Sequence, residues 1–316
     1  MQYTEVANEL GTLETLTAPT DIGKEKALSL RGQFLDESHY TLLLDKGGVV
    51  LTPDGQVLCI LLKDRLRPEL LDAARPIVRK VACQPVAGGN RADAAGTGMV
   101  QRKRKSGSVS KLTGVPCLVD LSDEDYQRLK PAKGGIIGYH PRVVRGGQIY
   151  PSRLTAYKGV LPSELSLMAE LEKEVAEALR LSFVQDRWAT QFKKASQTPP
   201  AFLLKTRDSH APRTTITCNK SWRTAAHVDG GVLKESFGVM CCFGEFDGCD
   251  LVFPRYQTAV RYREGDVILA NSANEVHGNT PLLNPDGTVP EPGKLPERLV
   301  CVFYFEQNTD AGRDAQ

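Results

Sequence analysis

The sequence predicts an α+β chain. Its C-terminal third closes into a β-sandwich or double-sheet jelly roll, with helices and an N-terminal extension packed around it. Three observations carry this reading. From Phe202 onward, short apolar or alternating runs recur between glycines and prolines, the pattern of many short strands joined by tight turns. Between Ser163 and Ala195, apolar residues instead recur at helical spacing. From Tyr40 to Leu62 the stretch TLLLDKGGVVLTPDGQVLCILL reads as strands separated by Lys46-Gly47-Gly48 and Pro53-Asp54-Gly55.

In chain order, residues 1–30 are weakly patterned and read as a peripheral arm with a short helix near Lys24–Leu30. The strands of 40–62 follow. Arg67–Val81 spaces Leu70, Leu71, Ala74, Ile77 and Val78 as an amphipathic helix, which Pro76 kinks or delays. Ser122 followed by Asp123-Glu124-Asp125 marks the start of a helix over Leu118–Leu129. Pro162 and Ser163 open the clearest helix, to Leu181, with Leu165, Met168, Leu171, Val175 and Leu179 on one face; such a stripe is core far more often than a cofactor box. A further helix spans Phe183–Ala195 and ends at Thr198-Pro199-Pro200. Strands are then expected at Thr214–Cys218, Phe237–Phe243, Asp250–Phe253, Thr258–Tyr262, Asp266–Ala270 and Leu299–Phe305. The division is residues 1–200, an N-terminal α/β region carrying basic loops, and 201–316, the β core, together forming one compact unit.

Composition narrows the class. At 316 residues and 41% hydrophobic the chain suits a globular core, and no run approaches the ~18 apolar residues of a membrane span. The eight cysteines lack CxxC spacing and are expected as free thiols in a reducing compartment. The N-terminus bears acids where a secretion signal has basic residues, so an intracellular location is expected, cytoplasm or nucleus by host. Net charge is only +2, but it is unevenly spread. Between Asp93 and Asp120 there are five basic residues, including Arg102, Lys103, Arg104 and Lys105, and no acids. From Tyr126 to Ser163 there are seven, again without acids, interleaved with Tyr139, Tyr150 and Tyr157. The first run reads as a solvated loop, as a loop that follows a phosphate backbone, or as a nuclear-targeting signal; the second reads as the electrostatic footprint of a nucleic-acid surface or as an accidental run.

Chemistry concentrates between Thr214 and Phe305. His227 and Asp229 are two apart, which on extended backbone puts both side chains on one face. His277 lies 48 residues further on, enough for hairpins to return to the same sheet. Two imidazoles and a carboxylate match the 2-His-1-carboxylate set that holds Fe(II) with open positions. Taken singly, HxD is a common chance pair, and His277 a satisfied loop histidine. Arg298 opens the last strand, and its planar fork suits a carboxylate. Alternation on that strand turns Arg298, Val300, Val302 and Tyr304 one way, and Cys301, Phe303 and Phe305 the other. Alone, Arg298 reads as a surface ion pair.

The run TITCNKSWRTAAHVD (Thr215–Asp229), with GCDLVFPRY, EGDVILANS, EVHGNTP and ERLVCVFYF, resembles the TET/JBP oxygenases, closest to their J-binding, fungal and viral members. The likeness is good over about 201–305 and looser over 31–200. It implies a double-stranded β-helix (cupin-like) fold, Fe(II) and 2-oxoglutarate as cofactors, and O₂ as co-reactant. It further implies oxidation of the methyl group on 5-methylcytosine or thymine; the reading taken is hydroxylation of 5-methylcytosine in double-stranded DNA after base flipping, and a monomer is expected. His227, Asp229 and His277 match the family's metal ligands and Arg298 its 2-oxoglutarate arginine. Asn219 falls where related oxygenases bind the co-substrate, and Tyr304 where animal members stack an aromatic on the base. Val232 departs from the pattern, because animal members carry a base-reading Asn there; their Cys-rich zinc region is also missing. Arg102–Lys105 would contact the DNA. The alternatives are a thymine hydroxylase, a 2-oxoglutarate oxygenase acting on RNA or protein, and a non-catalytic jelly-roll DNA-binding module.

Overall fold

The computed structural model describes residues 13–83, 94, 133–140, 143–145, 148–150, 153–154, 162–180, 185–198, 203, 213–291 and 294–307. The helix expected over 118–129 and the basic cluster Arg102–Lys105 lie outside them.

The described chain runs β1 (Glu14–Thr17), α1 (Lys24–Leu28), β2 (Leu42–Leu44), β3 (Gly48–Leu51), β4 (Val57–Leu62) and α2 (Pro68–Ala82). It continues with β5 (Lys133–His140), β6 (Val143–Arg145), β7 (Gln148–Tyr150), β8 (Arg153–Leu154), α3 (Pro162–Arg180) and α4 (Gln185–Ser196). The C-terminal part holds β9 (Thr215–Lys220), β10 (Gly238–Phe243), β11 (Asp247–Gly248), β12 (Leu251–Phe253), β13 (Thr258–Val260) and β14 (Val267–Ala270), then β15 (Gly278–Asn279), β16 (Leu282–Leu283) and β17 (Leu299–Tyr304).

Among the described residues, the large sheet has nine strands in the order β1-β3-β4-β14-β10-β17-β9-β5-β8, and a four-stranded sheet has the order β15-β12-β13-β2. Their pairing around β10, β14 and β17 is mostly antiparallel, as a jelly roll requires. The period-2 rule explains the two cores. On β10, Val239, Cys241 and Phe243 join the layer under the helices, with Leu71, Val78 and Val81 of α2 and Leu171 and Val175 of α3. Met240 and Cys242, facing the other way, join the layer between the sheets with Leu251, Phe253 and Val260. Arg213 and Glu172 form a fully buried ion pair linking the start of β9 to α3.

Several expectations need adjustment. The N-terminal arm is tied down, since β1 pairs in parallel with β3 at the edge of the large sheet. Pro76 does not delay the helix start: α2 opens at Pro68, where the missing N–H costs nothing, and it continues past an exposed Pro76. Part of the second basic stretch is sheet, because β5 pairs along β9 from Lys133 to Gly138. Its glycines have structural reasons. A Cβ on Gly135 would lie 2.3 Å from the Val81 carbonyl oxygen of α2, and Gly138 has φ +105°. No helix among the described residues is long and apolar enough to cross a membrane.

Candidate active site

A cavity of about 450 Å³ opens between the two sheets. Part of its wall is one face of β17 and β9. Arg298, Val300, Val302 and Tyr304 line it from β17, while Thr217 and Asn219 do so from β9, where Thr217 pairs with Val302 and Asn219 with Val300. The alternation expected for the last strand is therefore present, with Cys301 and Phe303 turned into the helix-side core.

The two histidines are brought together by the backbone. The His227 N–H donates to the His277 carbonyl at 2.8 Å, and the His277 N–H donates back at 2.9 Å. Residues that exchange both bonds sit opposite each other with side chains on one face. His227 and Asp229 lie on an extended segment outside the named strands, not on a strand proper, yet their shared face survives. The two imidazole centroids are 4.3 Å apart. His227 Nε2 is 3.5 Å from one Asp229 oxygen, and His277 Nε2 is 3.6 Å from the other. One donor atom from each residue lies within 4.8 Å of the other two.

The protonation pattern suits a metal. His227 Nδ1–H donates to the Ala225 carbonyl at 2.8 Å and His277 Nδ1–H to the Glu275 carbonyl at 3.0 Å. Each ring thus turns an Nε2 lone pair toward Asp229, and the carbonyl fixes its orientation. Burial, assisted by the neighbouring His227, pushes His277 down to about 4, so the ring is neutral near pH 7. Burial works against the Asp229 charge, but His277 and His227 outweigh it and hold the carboxyl well below the usual range. Donors held about 2.0–2.2 Å from one ion lie about 3 Å from each other, so a small closure of this triad suits a divalent first-row metal.

Arg298 provides the second test of fit. It is 3% exposed, and its Nη2 donates to the Tyr262 hydroxyl at 2.6 Å. Its guanidinium also lies over the Phe246 and Tyr262 rings. Among the described residues no carboxylate reaches it within ion-pair distance, and its Nε has no hydrogen-bond partner. A buried cation lining a cavity in this state calls for an anion. Three other arginines are engaged: Arg261 and Arg263 with Asp250 and Asp247, and Arg213 with Glu172.

Of the remaining residues singled out in the sequence, Asn219, Val232 and Tyr304 all line the cavity. The Tyr304 hydroxyl is 3.4 Å from Thr217 Oγ1. Ala94, in the first basic stretch, also lines it and accepts a hydrogen bond from the Ala225 N–H. Sequence reasoning missed Glu306, Tyr262 and Arg31. Counting two residues on from Tyr304 would have found Glu306; nothing local marks the other two.

A jelly roll with this triad beside a buried arginine defines the class of iron- and 2-oxoglutarate-dependent oxygenases, and the residues present fit both groups. Residues 186–307 match the model of the Tet_JBP family, described as the oxygenase domain of the 2OGFeDO superfamily. The bifunctional helicase and thymine dioxygenase JBP2 of Leishmania infantum is 30% identical over 161 residues, covering 49% of this chain and 13% of the relative. Thymine dioxygenase JBP1 of Trypanosoma brucei brucei is 32% identical over 96 residues, covering 30% of this chain and 11% of the relative. The chain thus spans only a small part of those proteins. The solved structure of NgTET1 in complex with 5mC DNA shares the fold, with a TM-score of 0.55 at 11% identity, covering 98% of this chain and 93% of that one.

Proposed function

We propose that this protein hydroxylates the methyl group of 5-methylcytosine in double-stranded DNA, with Fe(II), 2-oxoglutarate and O₂, on a base flipped out of the duplex. The observation that carries this reading is the composition of the cavity that holds the triad. Metal-type donors and an anion-seeking arginine share it with Tyr304 and Val232, and Ala94, at the start of the first basic stretch, lies on its wall. Its volume of about 450 Å³ falls within the ~300–1,000 Å³ of small-ligand sites. The relation to NgTET1 with its 5mC DNA supports the choice of substrate. The names of the JBP relatives favour thymine as a second reading.

In this reading His227, Asp229 and His277 would hold the metal. When bound, the iron with 2-oxoglutarate and O₂ supplies the oxidising power for C–H hydroxylation. Arg298, with Tyr262, would hold the distal carboxylate of the co-substrate, and Asn219 would contribute to its binding. Tyr304 stacks on the extruded base, offsetting an unstacking cost of a few kcal/mol. Val232 and Val302 give the methyl group an apolar wall. The basic stretches that contain Arg102–Lys105 neutralise phosphates. The protein acts as a monomer inside the cell.

Incubation with Fe(II), 2-oxoglutarate and methylated duplex, followed by nucleoside mass spectrometry, tests the proposal. Appearance of 5-hydroxymethylcytosine supports it. Hydroxymethyluracil alone favours the thymine reading, and succinate release without any modified base, in the presence of RNA or peptide, points to another substrate class.

A further inference from the structure

Two of the three triad residues lean on one turn, residues 271–275, which follows β14. The Ser272 carbonyl accepts the Asp229 N–H at 3.0 Å, and the Glu275 carbonyl accepts His277 Nδ1–H at 3.0 Å. The turn is itself tied to its surroundings. The Asn271 N–H donates to the Leu58 carbonyl at 3.0 Å. Asn271 Oδ1 accepts from Arg187 Nη1 of α4 at 3.1 Å and from Asn274 Nδ2 at 2.8 Å. The Glu275 carboxylate accepts from Arg255 Nη1 and from the Tyr256 hydroxyl, both at 3.1 Å. One group on the turn is unspent. Ser272 is 1% exposed, and among the described residues its Oγ has no hydrogen-bond partner of good geometry. A buried hydroxyl in that state costs free energy. Room is nevertheless kept for it. Gly238 of β10 lies opposite Ala270, and a Cβ there would come within 2.5 Å of Ser272 Oγ but 3.6 Å of Ser272 Cβ. Gly238 has no positive φ, so the backbone does not demand glycine; the space it leaves is taken by the serine oxygen. Beside that oxygen lies the Asp229 carboxylate, close enough to feel the hydroxyl dipole.

We infer that Ser272 is a positioning residue for the metal: its hydroxyl donates to the Asp229 oxygen that the ion leaves unused, and so sets the orientation of the carboxylate. This rests on the reading of His227, Asp229 and His277 as metal ligands. The argument is one of donors and acceptors. Each imidazole Nε2 now faces one Asp229 oxygen, at 3.5 and 3.6 Å. An ion claims both Nε2 lone pairs and one carboxylate oxygen. The second oxygen is then a buried acceptor in need of a donor, because an ionised carboxylate can only accept. Ser272 Oγ–H is the unspent donor beside it, and a hydroxyl given to a charged oxygen makes one of the stronger hydrogen bonds. Ser272 thereby grips Asp229 twice, at the backbone through its carbonyl and at the carboxylate through its hydroxyl. Gly238 serves the same end by keeping the space that the hydroxyl occupies.

The test is metal binding by the full chain, read by anaerobic calorimetric titration with Fe(II) and by the visible spectrum of the Co(II)-loaded protein. Ser272→Ala should bind Fe(II) roughly 10- to 100-fold more weakly, the scale of losing a group that orients a metal ligand. Its Co(II) bands should shift, while the Tm of the metal-free protein holds within about 3 °C, because the hydroxyl has no well-made bond to lose there. Gly238→Ala keeps the hydroxyl but drives it from its place, and should weaken Fe(II) binding by a similar factor. In the Ser272→Ala background the same added Cβ meets only the residue 272 methyl, at the ordinary contact distance of 3.6 Å. The double variant should therefore bind Fe(II) as Ser272→Ala does, and this non-additivity separates positioning from general damage. Parent-like Fe(II) affinity with an unchanged Co(II) spectrum in Ser272→Ala overturns the inference. So does a larger fall in its metal-free Tm, which makes the hydroxyl structural, or a further tenfold loss in the double variant. Failure of the parent to bind Fe(II), or parent-like binding by His277→Ala, overturns the metal reading and the inference together.

Discussion

Replacing Arg298 with methionine tests the co-substrate site in two opposite senses. The guanidinium is buried, held by Tyr262 and without a carboxylate within ion-pair distance among the described residues. Removing one partner of a buried charge pair costs about 2–5 kcal/mol, so 2-oxoglutarate binding should weaken roughly 30- to 4,000-fold. The ligand-free protein should respond differently. Methionine removes a buried charge that is costly to desolvate, which often stabilises by about 1–4 kcal/mol. The Tyr262 hydroxyl then loses its partner, at a cost of about 1–3 kcal/mol. The two effects offset, and the unfolding free energy of the ligand-free variant should stay within about 2 kcal/mol of the parent. At a 2-oxoglutarate concentration 100 times the parent Kd, the parent gains about 2.7 kcal/mol and the variant about 1 kcal/mol or less. Anaerobic calorimetric titration and denaturant unfolding, with and without the co-substrate, measure both quantities. Parent-like 2-oxoglutarate affinity in Arg298→Met would refute the assignment. A large loss of ligand-free stability would make Arg298 a structural cation instead.

Other outcomes follow from the same geometry. His227→Ala, Asp229→Ala and His277→Ala should each abolish turnover and high-affinity Fe(II) binding while retaining the far-UV circular dichroism spectrum; full activity in any one removes that residue from the metal site. Arg213→Met should cost about 3–5 kcal/mol by stranding Glu172 in the core, and adding Glu172→Leu should recover most of it, as denaturant unfolding of both variants would reveal. Neutralising Arg102, Lys103, Arg104 and Lys105 together should weaken binding to all duplexes alike and lower the slope of log K against log salt by about 0.9 per lost phosphate contact. An unaltered slope shifts the DNA surface to residues 126–163. Tyr304→Ala should impair turnover with an unchanged salt slope, through loss of a stack worth ~1–3 kcal/mol.

What was legible in the sequence was whatever local periodicity writes down. The strands around the cavity and both long helices could be bounded to within a few residues because apolar alternation and the i, i+3, i+4 stripe are short-range signals. The face of β17 could be read because its parity is fixed by a single residue. Pairing partners were less visible. Nothing near Glu14–Thr17 announces a parallel partner at Gly48–Leu51, and the basic glycine-rich run around Gly135 and Gly138 reads as a loop until its close approach to Val81 and Thr214 is seen. Tyr262 was missed for the same reason, since its contact with Arg298 joins residues 36 apart. Glu306 was missed because the strand was counted to Phe305 and no further.

The location of β17 carries a consequence for the life of the polypeptide. The strand is among the last described segments of the chain, yet it lies in the middle of the nine-stranded sheet, between β10 and β9. During synthesis, both neighbours must wait with unpaired edges until residues 299–304 emerge from the ribosome. The sheet therefore closes late, through pairings of long sequence separation, which are intrinsically slow to form. Premature termination before Arg298 would remove a central rib, and with it the arginine, the apolar wall and Tyr304, leaving two half-sheets with exposed apolar edges prone to association.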